Sequence, residues 1–215
     1  MSLLDQIFLV GTYIVAVLAL WSLRNQKAPG RERHPSDYYH GIALVVLGLA
    51  SLLLSIFGWG ILGMMGEGTS NKLVAIVSSL IPFAWATGLI SKFYPKHEKT
   101  FLGVMILGLL LITVSRFIDA PLMARIVYPV FHSTAAIAVI VTPMIAVKKG
   151  LVNYHFLTIS AGGALISAAG ISLAFLSGGR QLLFFSQPVV LMIFAPLFFT
   201  TMVLYTWGLF RGQNS

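Results

Sequence analysis

Seven apolar stretches divide this sequence, over about 6–23, 41–65, 73–91, 101–116, 125–147, 155–176 and 183–210. Inside their end residues none contains Asp, Glu, Lys or Arg. A helix gains about 1.5 Å per residue, so roughly 20 apolar residues cross a hydrocarbon core of about 30 Å. Lipid offers no partner to a backbone N–H or C=O, so an uncharged stretch of this length satisfies its own backbone as helix. The expectation is an all-α, polytopic integral membrane bundle of seven transmembrane helices forming a single domain over 1–215. Stretch 101–116 is short for a span, and 183–210 is long enough to tilt or to start outside the core.

The residue balance agrees. The chain is 58% hydrophobic and 9% charged, whereas a soluble domain carries about 25% charged residues to cover its wet surface. There is no cysteine, which removes disulfides, thiolate metal sites and cysteine nucleophiles. The first stretch has only Asp5 before it and no small-residue cleavage site, so it reads as a retained helix and not a signal peptide.

Orientation follows from where the basic residues fall. With the amino terminus outside, the inner connections and tail hold Arg24, Lys27, Arg31, Arg33, Lys92, Lys96, Lys99, Lys148, Lys149 and Arg211. The outer ones hold Lys72, Arg116, Arg125 and Arg180. The positive-inside rule therefore predicts amino terminus out and carboxyl terminus in, as a multi-pass protein of the cell membrane. Trp21, Tyr38, Tyr39, Tyr94, Tyr154, Tyr205 and Trp207 fall near inner ends of spans and are expected to form an interfacial belt. The net charge of +8 is carried beside spans, so it points to a lipid surface and not to nucleic acid. The loop RNQKAPGRERHPSD is expected against anionic headgroups or a partner protein.

Absence of charge within the spans bears on function. Proton-coupled transporters and voltage sensors keep carboxylates or basic groups at membrane depth, and none is present here. No H-E-x-x-H occurs and no span pairs two carboxylates, so no catalytic residues and no metal site are assigned. The last stretch has no lysine to form a retinal Schiff base.

His132 is the one histidine well inside a span, and His40 and His155 border the second and sixth. Two facing imidazoles could take the axial positions of a b-type haem, making His132, His40 and His155 the ligand or haem candidates. Against this, a histidine at a span boundary ordinarily rests with its polar tip in the headgroups, which is the bland expectation for His40 and His155. Pro129 and Pro143 bracket the fifth span, and a proline removes a helical donor and loosens the preceding turn. With Ser133 and Thr134 they are candidates to line a cavity. Arg116, Asp119 and Arg125 form a candidate outer charge cluster. In the sixth span Ser160, Gly163, Ser167, Gly170 and Ala174 recur three or four apart, the spacing that lets membrane helices pack closely; this helix is expected to be the central packing element.

Two functions fit these features. The first is a non-catalytic membrane subunit or anchor of a larger complex, with other membrane subunits as partners and a haem or quinone link at the histidines. The alternative is a passive channel or carrier for a neutral or small polar solute. Its polar lining would come from Ser78, Ser79, Thr87, Ser133, Thr134 and Thr142 on the third and fifth helices.

Overall fold

The computed structural model describes residues 1–25, 34–60, 72–118, 121–177 and 186–212, with backbone alone at 121, 169–177, 187 and 188. The chain is all-α. Among the described residues seven α-helices follow one another: α1 (Leu3–Asn25), α2 (Pro35–Phe57), α3 (Lys72–Phe93), α4 (Glu98–Phe117), α5 (Pro121–Lys148), α6 (Leu157–Ser177) and α7 (Gln187–Arg211). Short 3-10 turns, Pro95–His97 and Tyr154–Phe156, lead into α4 and α6. Among the described residues six helices are long and apolar enough to cross a membrane, all but α6.

The ends of the helices depart from the apolar stretches for local reasons. Helix α2 starts at Pro35, before the apolar run: His34 caps it by accepting from the Ser36 N–H, and Pro35 opens its first turn. It stops at Gly58, whose positive φ of 66° suits glycine and whose N–H donates to the Leu54 carbonyl. The second span is thus moved toward the amino terminus relative to 41–65, and residues 61–65 lie outside the described set. Helix α4 gains a turn on 101–116 because it begins at Glu98, directly after the 3-10 turn. A carboxylate there favours the positive end of the helix dipole.

Neighbours in space define a ring. Helix α1 packs on α2, α2 on α3, α3 on α5, α5 on α6, α6 on α7, and α7 returns to α1. Helix α4 lies outside this ring, against α3 and α5. The seam between α7 and α1 is close: a Cβ at Gly11 would come within 2.9 Å of the Phe199 ring. Gly48 meets Ala16 as tightly, and Gly108 lies against Phe131, whereas Gly41 makes only an ordinary contact with Leu20 and Gly103 faces open space. Helix α6 does pack through small residues, Gly162 on Tyr205 and Gly163 on Val139. Ser160 donates to the Ile140 carbonyl at 2.7 Å, in the α5 turn that Pro143 loosens. Among the described residues α6 packs chiefly on α5 and α7, while α3 packs on α2, α4 and α5. Within that same set α3 carries large interior side chains, Phe83, Trp85 and Leu89, while Gly170 and Ala174 on the expected α6 face are described in backbone alone.

One end of the bundle gathers Arg24, Lys92, Lys96, Lys99, Lys148, Lys149 and Arg211, while Lys72, Arg116 and Arg125 are at the other. Side-chain bonds tie the basic end together. Glu98 accepts from the Tyr39 hydroxyl at 3.0 Å and from the Ser91 hydroxyl at 2.8 Å, joining α4 to α2 and α3. Asn153 donates to the carbonyls of Arg211 and Gly212, fastening the end of α7 beneath the turn before α6. Lys92 lies over the Phe156 ring and Lys149 over Tyr94. Tyr39→Phe removes a charge-assisted bond between helices. A loss of about 1 kcal/mol is expected, with Glu98→Gln costing at least as much because it keeps one of the two accepting oxygens and removes the charge from both bonds; thermal unfolding in detergent measures both.

Candidate functional site: a buried histidine on an aromatic stack

Helix α2 begins early enough to carry His40 into the core, where it is 0% exposed. The interfacial placement expected for it is therefore replaced by full burial. Its ring meets Trp85 of α3 at a centroid distance of 4.8 Å, tilted by 53°. Trp85 in turn stacks on Tyr205 of α7 at 4.5 Å and 13°. The three rings cross the ring of helices from α2 to α7, and both Trp85 and Tyr205 are buried. Tyr205 thus belongs to the interior and not to the interfacial belt, whereas Trp21, Tyr38, Tyr154 and Trp207 are exposed.

Space for the imidazole comes from Gly88, three residues after Trp85 and hence on the same face of α3. A Cβ there would stand 2.6 Å from His40 Nε2 and 2.7 Å from Cδ2. Gly162 and Gly163 of α6 make the matching allowance for the Tyr205 ring and hydroxyl. No hydrogen bond reaches His40 Nδ1, His40 Nε2, Trp85 Nε1 or Thr201 Oγ1 within the described residues. Thr201 lies four residues before Tyr205, on its face of α7. An unpartnered buried polar group costs about 1–3 kcal/mol. Such a cluster needs dense van der Waals contact around it, and the glycines permit that approach.

The other candidate residues lie apart from this stack. His132 is half-buried on α5 and stacks on Tyr128 at 5.1 Å, with its Nδ1 unpartnered. Tyr128 shares a 3.2 Å hydrogen bond with Ser78 of α3. His155 is half-buried at the basic end, 4.0 Å from the Tyr154 ring, and its Nδ1 accepts from Trp207 Nε1 at 3.5 Å. His40, His132 and His155 thus rest against three separate aromatic neighbours, Trp85, Tyr128 and Tyr154. A b-type haem does not fit at His40: the imidazole has no exposed atom, and its Nε2 is pressed against Gly88. Among the described residues no group of three or more His, Asp or Glu side chains could hold a metal ion.

Ser133 and Thr134 are exposed on the outside of α5, and the Thr134 hydroxyl donates to the Val130 carbonyl of its own helix. Pro129 is likewise exposed, while Pro143 is buried. Ser79 and Thr87 are buried and donate to the carbonyls of Ala75 and Phe83, one turn back. These four residues of α5 are therefore divided between the bundle's exterior and its packed core. Arg116 is half-buried at the end of α4, Arg125 is exposed on α5, and Asp119 lies outside the described residues, as does the basic loop at 26–33.

Trp85, Gly88 and Tyr205 are not marked out as a group by the sequence. The available signal was Trp85 in mid-span, where a belt tryptophan would not sit, with a glycine three residues on. Compared with known protein families, curated proteins and solved structures, the chain matches none.

Proposed function

We propose that the protein is a non-catalytic subunit or anchor within the cell membrane, working as part of a larger assembly of membrane proteins. The observation that carries this reading is the plugged ring. The stack of His40, Trp85 and Tyr205 fills the space between α2, α3 and α7, where a solute path through the helices would have to run. The buried hydroxyls of Ser79 and Thr87 are occupied by their own helix, so they offer a passing solute little in exchange for its water. Both features favour a scaffold over a passive pore. The positive-inside rule orients the basic end toward the cytoplasm.

Two measurements test the reading. Reconstituted into liposomes, the protein should pass glycerol or urea no faster than protein-free vesicles. Extracted from its own membrane in a mild detergent, it should run as an assembly well above its 23.4 kDa chain mass. Solute flux that a bulky replacement of Tyr205 abolishes, or a single chain alone in the detergent particle, would sink it.

A further inference from the structure

A groove of about 480 Å3 runs along the outer surface between α1 and α2 at the basic end, within the range of about 300–1,000 Å3 typical of small-molecule sites. Its floor is apolar, formed by Leu20, Leu23, Ile42 and Val45, and Gly41 supplies the dent. A Cβ at Gly41 would find only Leu20 Cδ2, at 3.9 Å. Among the described residues the mouth carries one cation and one anion, Arg24 on the last turn of α1 and Asp37 on the first turn of α2. Arg24 is exposed and Asp37 half-buried, and among the described residues no ion pair joins them.

We propose that this groove is a binding site for a phospholipid with a primary-amine headgroup, of the phosphatidylethanolamine class. Position and chemistry agree. The apolar floor follows the helices into the hydrocarbon layer and takes an acyl chain. The mouth lies where the helices end, at headgroup depth. Arg24 presents N–H donors to the phosphate, for which a guanidinium is well shaped. Asp37 accepts from the ammonium, which still has hydrogens to donate. A choline headgroup keeps the positive charge but has no N–H, and a glycerol headgroup has no cation for Asp37 to meet. The site therefore discriminates by the amine. It stands independently of the subunit reading, since a channel could carry it equally well.

Native mass spectrometry of the full-length, delipidated protein, titrated with dioleoyl-phosphatidylethanolamine, -phosphatidylcholine and -phosphatidylglycerol in turn, tests it. One phosphatidylethanolamine should be retained with about a tenfold preference over the other two, the weight of one charge-assisted hydrogen bond. Asp37→Ala, which leaves the ammonium no acceptor, should erase the preference while leaving the weaker binding of the other lipids. Arg24→Gln should weaken all three, and Gly41→Leu should fill the dent and abolish retention. The two charge variants sit at the surface, so an unchanged melting temperature separates lost binding from lost folding. Equal retention of the three lipids, tighter binding of phosphatidylglycerol, or an Asp37→Ala variant that keeps the preference overturns the proposal. So does a dimer that Gly41→Leu dissociates, which would assign the groove to a second copy of the chain.

Discussion

Trp85→Ala is expected to destabilise the bundle by about 3 kcal/mol, at the low end of the range for removing a large buried aromatic. The low end applies because the bundle lies in lipid. A tryptophan released from the packed state there meets acyl chains and not water, so little transfer free energy is at stake. What is lost is contact: the stack on Tyr205, the tilted contact with His40, and the filled space between α3 and α7. Trp85→Phe keeps most of that volume and dispenses with an unpartnered Nε1, so it should cost much less. Reversible unfolding in mixed micelles of mild detergent and dodecyl sulfate, followed by near-ultraviolet circular dichroism, ranks the variants. A cost for Trp85→Phe as large as that for Trp85→Ala would mean that the indole N–H has a partner after all.

The second large effect is one of sign. Gly88→Ala places a methyl 2.6 to 3.1 Å from three atoms of the His40 ring, closer than packed carbon and nitrogen tolerate. The ring is held by Trp85 on one side and buried throughout, so it has little freedom to retreat. A net cost of about 2 kcal/mol is expected, overpacking outweighing the better helix propensity of alanine. In a His40→Ala background the obstacle is gone, and the same methyl fills part of the space the imidazole vacated. There the substitution should be neutral or stabilising, giving a coupling of about 2 kcal/mol between the two positions. Additive effects in this double-mutant cycle would refute the contact between α2 and α3.

Much of the fold is legible in the sequence because membrane burial writes itself in composition. Each span is an uncharged run, the turns between them are polar, and helix is the structure left when water is unavailable. Part of the small-residue face of α6 is legible for a related reason, since Ser160 and Gly163 do meet α5 closely, whereas Gly162, which meets Tyr205 of α7, is not on the face that the spacing picks out. The beginning of α2 is not legible from hydropathy, because Pro35, Ser36 and Asp37 are polar yet form its first turn through the cap at His34. That shift of a turn and more decides the depth of His40, so the boundary and the site are misjudged together. The stack itself depends on which rotation each helix adopts about its axis. In an apolar span with no polar face the sequence carries little of that information: Trp85 and Tyr205 look alike whether they face lipid or one another. Ser133 and Thr134 illustrate the same gap, hydroxyls that could have faced inward and instead lie on the outside, Thr134 bonded to its own backbone.

The seam between α1 and α7 has a consequence for how the protein is made. Every other link of the ring joins helices that leave the ribosome close together in time, save the step from α3 to α5. The surface of α1 around Gly11 and Leu9, by contrast, must wait for the helix synthesised seventh before it is covered. Until then an unmatched flank faces lipid and is open to insertion partners and membrane proteases, and the closing contact has the longest sequence separation in the bundle. Substitutions at Gly11 or Phe199 should therefore show themselves first in yield and turnover of newly inserted chains, and only secondarily in the stability of those that mature.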